Sequence, residues 1–314
     1  MVVMGCVTPC YADVLAAWER IRPHVRQTPV LEIDSGMLKL ENLQHTGAYK
    51  VRGACNALFR RHQNTPFRAA VTASAGNHAA GLTHACNALG VQAIAVVPIT
   101  TPQVKIENCR QLGCQVLVSG ADLQESMHMA RQLADGTDTV FLHPFDDPDV
   151  ICGQGTIGLE LKTHRPEVVF VPIGGGGLAS GLGLAFAHSQ TKVVGVQVEG
   201  ADVMNRAIRR LPPLAEVNAG LADGVNVQQA GELTTRLCET LLDDILVVKH
   251  AEVIDTMRRL ANTHHLVVEA AGAISVTAQR QMGVKNSVAI VSGGNVSLSV
   301  LANLPPPIDT PVAA

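Results

Sequence analysis

The stretch VVFVPIGGGGLASG, residues 168–181, decides the fold. Its first half is an apolar, valine-rich run without polar alternation, which reads as a strand covered on both faces; the small-residue run after the four glycines reads as a helix. A strand that passes through glycines into a helix aims backbone N–H groups at a phosphate. Two ligand classes suit it. The stretch lacks the GK[ST] ending of a triphosphate loop, but Gly174, Gly176 and Ala179 satisfy G-x-G-x-x-A and Glu199 ends the next strand. A nicotinamide-dependent dehydrogenase, with Glu199 on a ribose hydroxyl, therefore stands beside a simple phosphate site.

The same reading extends in both directions. VQAIAVV (91–97), QVLVS (115–119), KVVGVQVE (192–199), DILVV (244–248) and SVAIVS (287–292) are further buried strands. Helical patterns lie between them, at GNHAAGLTHACNAL, PQVKIENCRQL, ADLQESMHMARQLA, GELTTRLCETLL and AEVIDTMRRLANT. Repeated βα alternation predicts an α/β fold with parallel sheet. Composition agrees: of 314 residues, 47% are hydrophobic and only 3% aromatic, which suits close helix-on-sheet packing. A net charge of −3 with scattered lysines and arginines supplies no basic field for nucleic acid or an anionic membrane. No apolar run approaches the roughly 18 residues that would span a bilayer, and the N-terminus shows no signal peptide, so a cytosolic location is expected. Eight cysteines without CxxC spacing read as reduced core thiols. The proline-rich tail LPPPIDTPVAA (304–314) reads as irregular and leaves no room for an appended regulatory domain.

Three shorter segments carry chemistry. In TGAYKVRGA (46–54), Lys50 falls at the start of a helix on which Ala54, Leu58 and Arg61 share a face. A cation at the positive end of the helix dipole is disfavoured, which lowers the lysine's pKa and favours attack on a carbonyl to form a Schiff base. In TASAGNHAAG (72–81), Ser74 or Asn77 is placed to cap a helix, and the N–H groups there suit a carboxylate. SGGN (292–295) follows a strand, where open α/β sheets bind ligands. The twelve histidines form no recognisable triad or metal set.

Taken in order, KLENLQHTGAYKVRGA, SAGNHAAG, GQGTIGLEL, VPIGGGGLASG, LADGV, VVEAAGA and SGGN resemble the pyridoxal-phosphate-dependent threonine and serine dehydratases of the tryptophan synthase β family, over nearly the whole chain. HPFDDPDVICGQGTIGLEL (143–161) is similar to the short catabolic type. The resemblance implies fold type II: two open, twisted, mainly parallel sheets flanked by helices. Residues 1–67 and 145–314 would form a large cofactor-binding domain and residues 68–144 a small mobile substrate domain. It implies that Lys50 holds pyridoxal 5′-phosphate as a Schiff base and acts as the catalytic base. Gly174, Gly175, Gly176, Gly177 and Leu178 would bind the phosphate, Asn77 the 3′-oxygen, and Ser292 the pyridine nitrogen. Ser74, Gly76, Asn77 and His78 would take the carboxylate of an amino-acid substrate.

The activity implied is an ammonia-lyase that dehydrates and deaminates L-threonine, and L-serine as well, to a 2-oxo acid. 3-Hydroxyaspartate, phenylserine and serine racemisation are the alternatives within the family. Ala75 stands where serine racemases carry a second serine, which disfavours racemisation. Glu199 is similar to a ligand of the family's divalent-cation site, but Val203 and Asn205 match its later positions poorly, so a divalent or monovalent cation has no assigned site. Tyr49 replaces the usual phenylalanine before the lysine, and the segment before residue 38 is short. A homodimer or homotetramer is implied.

Overall fold

The computed structural model describes residues 8–305; Cys6 and residues 306–314 of the proline-rich tail lie outside the described residues. Two sheets organise the chain. The larger has the order β1-β2-β10-β7-β8-β9, built from Val30–Ile33, Gly36–Leu40, Ser287–Val291, Val168–Pro172, Lys192–Val198 and Asp244–Val248. Only the β1–β2 pair is antiparallel. The smaller sheet, β5-β4-β3-β6, is parallel throughout and uses Gln115–Val118, Gln92–Val97, Ala69–Ala73 and Thr139–Phe141. All six strands expected from the apolar runs form, each within a residue or two of its reading.

The strands of the larger sheet are apolar on both faces because both faces are covered. Val169, Val171, Val288 and Ile290 pack against α1 (Tyr11–Ile21), α6 (Pro148–Leu161), α7 (Gly177–Phe186) and α9 (Glu232–Leu241). Phe170, Ala289 and Val291 point the other way, onto α10 (His250–His264) and α11 (Ala270–Met282). This alternation is the period-2 pattern of a doubly covered strand. In the smaller sheet, Ala70, Ala93 and Ala95 meet α2 (Lys50–Asn64) and α3 (Asn77–Leu89), while Val71, Ala73 and Val96 meet α5 (Leu123–Ala134). The remaining helices are α4 (Gln103–Gln111), α8 (Val203–Arg209) and α12 (Leu298–Ala302).

Helix α2 lies against both α3 and α6, and glycines make that approach possible. A Cβ on Gly81 of α3 would come within 3.0 Å of the Lys50 carbonyl carbon, and one on Gly153 of α6 within 2.6 Å of the Arg52 oxygen. The backbone that carries Lys50 is thus clamped from two sides.

Below that contact lies a buried group of charges. Arg52 donates twice to Glu41 at 2.8 Å and once to Glu160 at 2.6 Å, and Lys39 reaches Glu160 at 2.5 Å. Burial alone would raise the Glu41 carboxyl, but Arg52 holds it below the usual carboxylate range. Two cations and two anions so tie β2, the turn after it, α2 and α6 together.

Candidate active site

Lys50 is the first residue of α2, after the N-cap Tyr49. It is half-buried, and its Nζ donates to the Pro144 carbonyl at 2.9 Å, with no ion pair among the described residues. Burial lowers its pKa to about 8, against a smaller opposite pull from Glu269. The sequence reading expected the depression but credited the helix dipole; desolvation is the leading cause. Burial, and then Lys50 itself, hold the His78 imidazole well below its ordinary value, and burial takes His143 to about 4. Burial beside a neutral carbonyl acceptor thus leaves the amine partly unprotonated near neutral pH.

Pro144 connects this amine to the glycine turn. The next residue, Phe145, lies so close to that turn that a Cβ on Gly175 would strike its ring and one on Gly177 would come within 2.9 Å of its carbonyl oxygen. Gly176 sits at φ +95°, a region that suits glycine. Thr234 Oγ1 donates to the Gly175 oxygen at 2.7 Å and fixes the turn from outside. The N–H groups from Gly174 to Leu178 find no acceptor among the described residues, whereas Ile173 N and Ser180 N on either side are bonded. Unpaired N–H groups at the start of a ten-residue helix make a site for a doubly charged anion.

The loop after β3 differs in detail from its reading. Gly76 is the N-cap of α3 and no side chain caps the helix, so neither Ser74 nor Asn77 does so. Ser74 Oγ instead accepts from Gly76 N at 3.2 Å inside the loop. Asn77, freed from capping, donates through Nδ2 to Glu269 Oε1 at 2.7 Å and accepts at Oδ1 from Asn295 Nδ2 at 2.8 Å. The His78 ring is buried, with Nε2 3.5 Å from the Leu142 oxygen and Nδ1 without a partner, so only its backbone faces the loop's chemistry. Ser292 is buried just beyond β10; its hydroxyl donates weakly to the Ala271 oxygen at 3.4 Å, and its carbonyl accepts from Tyr49 N at 3.1 Å. Three separate segments are thus linked: Asn77 bonds Glu269, whose field reaches Lys50, and the Ser292 carbonyl bonds the residue before Lys50.

Other positions stand apart or were missed. Glu199 is exposed and accepts from His250 N at 3.0 Å, the N–H that opens α10. Among the described residues no three His, Cys, Asp or Glu side chains converge as a metal set. Tyr49 is half-buried, and burial raises its phenol well above the ordinary value, so the hydroxyl stays neutral. The seven described cysteines are free thiols. Sequence reasoning missed Glu269, whose carboxyl burial raises to about 7, together with His143, Phe145 and Asn295. Each lay inside a quoted motif, Glu269 in VVEAAGA, His143 and Phe145 in HPFDDPDV and Asn295 in SGGN, without a local pattern that marked the residue itself.

A buried lysine amine, linked through Pro144 and Phe145 to a turn of unpaired N–H groups beyond β7, offers an amine and an anion cradle in one region. The chain belongs to the family described as pyridoxal-phosphate-dependent enzyme, whose pattern matches residues 21–293. Its two mainly parallel sheets and flanking helices are the fold type II architecture, and the nicotinamide reading of the glycine turn is overturned by this membership. The chain is 41% identical over 272 residues to an L-threonine ammonia-lyase of Thermotoga maritima, covering 84% of this chain and 68% of that one. It is 34% identical to a catabolic L-threonine dehydratase of Staphylococcus aureus (strain USA300), covering 91% and 89%. Among solved structures, the threonine deaminase of T.th. superposes with a TM-score of 0.85 at 34% identity, over 92% of this chain and 99% of that one. Maize serine racemase superposes at 0.88 with 30% identity, over 94% and 96%.

Proposed function

We propose that the protein is a pyridoxal-phosphate-dependent ammonia-lyase that converts L-threonine, and L-serine as well, to a 2-oxo acid and ammonia. The observation that carries this reading is the Lys50 amine, without an ion pair, joined through Pro144 and Phe145 to the unpaired N–H groups of Gly174–Leu178. Those donors fit the cofactor's two functional ends, an amine for its aldehyde and a helix start for its phosphate.

Asn77 would donate to the cofactor's 3′-oxygen and Ser292 Oγ would face the ring nitrogen. The hydroxyl is a neutral partner, which avoids the strong ring protonation that a carboxylate would favour. When bound, pyridoxal phosphate supplies the electron sink that acidifies the substrate's α-hydrogen. The released Lys50 amine takes that proton from Cα as general base, and its depressed pKa leaves part of it unprotonated to do so near neutral pH. The Cβ–O bond would break as Lys50, or the cofactor phosphate, gives a proton to the hydroxyl, which leaves as water; the Lys50 amine would then displace the enamine, which tautomerises to an imine that water hydrolyses to ammonia and 2-oxobutyrate from threonine or pyruvate from serine.

The N–H groups of Ser74, Gly76, Asn77 and His78 would hold the substrate carboxylate at the start of α3. Residues 68–144, which carry that loop, would act as the mobile unit against 1–67 and 145–314, excluding water on closure. The carboxylate of Glu199 already serves a helix N–H, so we assign no cation to it. A homodimer or homotetramer in the cytosol completes the reading, and the six buried free thiols suit a reducing compartment.

The test is to incubate the yellow protein with L-threonine and L-serine and measure 2-oxo acid and ammonia. Equal amounts of the two products support the proposal; absence of 2-oxo acid from both substrates and from other 3-hydroxy amino acids overturns it. Release of D-serine from L-serine as the main product would instead favour racemisation.

A further inference from the structure

Asn77 has one carbonyl oxygen and two N–H donors to place. Its Oδ1 faces Asn295 Nδ2 at 2.8 Å, and the same Nδ2 spends its other hydrogen on the Thr46 oxygen, also at 2.8 Å. Its Nδ2 faces Glu269 Oε1 at 2.7 Å. Rotating the amide by half a turn would set donor against donor at Asn295 and acceptor against carboxylate at Glu269, so the orientation is fixed from both sides. One N–H of Asn77 then remains, with no acceptor among the described residues.

The three partners come from far apart in the chain. Asn77 opens α3, Glu269 precedes α11, and Asn295 follows β10. Glu269 is the N-cap of α11 but makes no side-chain cap there, which leaves its carboxyl for Asn77. The space is tight: a Cβ on Gly293 would strike Glu269 Oε1, so the glycine of SGGN keeps the carboxyl in place.

We propose that Glu269 and Asn295 are positioning residues that lock the Asn77 amide so that its remaining N–H is presented to the phenolic oxygen of the cofactor. This rests on the ammonia-lyase reading above and adds two residues to it. The lock needs an acceptor at position 269 more than it needs a charge, because a neutral carbonyl also accepts from Asn77. Lys50 from α2, Tyr49 at its N-cap, Asp223 from the LADGV turn and Lys105 from α4 are the charged or titratable groups whose fields reach this carboxyl.

The test uses the holoenzymes of Glu269→Leu, Glu269→Gln and Asn295→Ala. The readouts are the rate at which cofactor leaves each protein on dilution and the pH midpoint of its visible absorbance. Loss of one well-placed hydrogen bond predicts release about tenfold faster for Glu269→Leu. Its absorbance midpoint should move by about one pH unit, since the phenolic oxygen loses a donor. Glu269→Gln, which keeps the acceptor, should recover most of the slow release. Asn295→Ala, a change at an exposed side chain, should shift both readouts in the same direction as Glu269→Leu and keeps the test open if the leucine variant does not fold. Parental release and midpoint in Asn295→Ala, or a Glu269→Gln variant as impaired as Glu269→Leu, would overturn the lock. Borohydride trapping on Lys50 in the parent separates these outcomes: if the parent itself is not trapped, the ammonia-lyase reading fails and not merely the lock.

Discussion

Lys39 and Lys50 stand close in the chain, and both lose water on folding, yet the protein uses them in opposite ways. Lys39 is 1% exposed and lies 2.5 Å from Glu160, inside a neutral group of four charges. Burial lowers its pKa, but Glu160 and Glu41 pull it back. Among the described residues Lys50 bonds the Pro144 carbonyl and makes no ion pair, and burial, against a smaller pull from Glu269, takes its amine to about 8. A buried cation with an anion is a structural tie, whereas one left with a neutral acceptor is a reagent. Lys105 makes a third case: its ion pair with Asp223 at 2.6 Å is 43% and 68% exposed.

The comparison is broken most severely at the reagent. Lys50→Ala should lower 2-oxo acid formation by at least about 10⁴-fold and abolish the yellow colour, because both the anchor and the base are lost. Steady-state assay and visible absorbance check it; retained turnover would refute the role.

At the structural tie the effect falls on stability. Arg52→Met leaves Glu41 without its bidentate partner and should cost about 3–5 kcal/mol in urea unfolding, as removal of one member of a buried ion group does. A loss below about 1 kcal/mol would mean that the group contributes no more than a surface pair does.

The pH dependence of the cofactor-free protein separates Glu269 from Lys50. The Glu269 carboxyl is raised from 4.5 to about 7, so its contribution to stability is complete below 4.5 and is lost as pH rises to about 7. Lys50 is lowered from 10.5 to about 8, so its contribution is complete above 10.5 and is lost as pH falls to about 8. Glu269→Gln should therefore remove a destabilising slope between pH 4.5 and 7 relative to the parent and leave the alkaline slope in place. Thermal unfolding across that range checks both signs.

The smallest effect belongs to the exposed pair. Lys105→Met should change stability by less than about 1 kcal/mol, since solvent and salt screen such a contact.

Much of the architecture was legible because the larger sheet is buried on both faces and so writes continuous apolar runs such as DILVV and SVAIVS. The strands that escaped notice lack that signature. β2, GMLKL, contains Lys39, whose burial makes sense only with Glu160 from 121 residues away. β3, AAVTA, is mostly alanine, and β6 is three residues long. Helix α6 was hidden by the glycines that let it touch α2 and α7, residues that score poorly in a helix until the contacts are known. In the site, Lys50 and the glycine turn could be located from their local sequence, although the depression of Lys50 comes from burial and not from the helix start. Glu269 could not, because its meaning comes from Asn77, 192 residues distant. A cap at Ser74 or Asn77 does not form for the same reason: Asn77 has partners distant in sequence, Glu269 and Asn295.

We propose that Lys50, buried without an anionic partner among the described residues, is the one lysine that holds the cofactor. Borohydride reduction of the yellow protein followed by peptide mapping tests it directly. The reduced cofactor is expected on the peptide containing Lys50 and on no other; its appearance on Lys39 or Lys105, or on no lysine at all, would contradict that assignment.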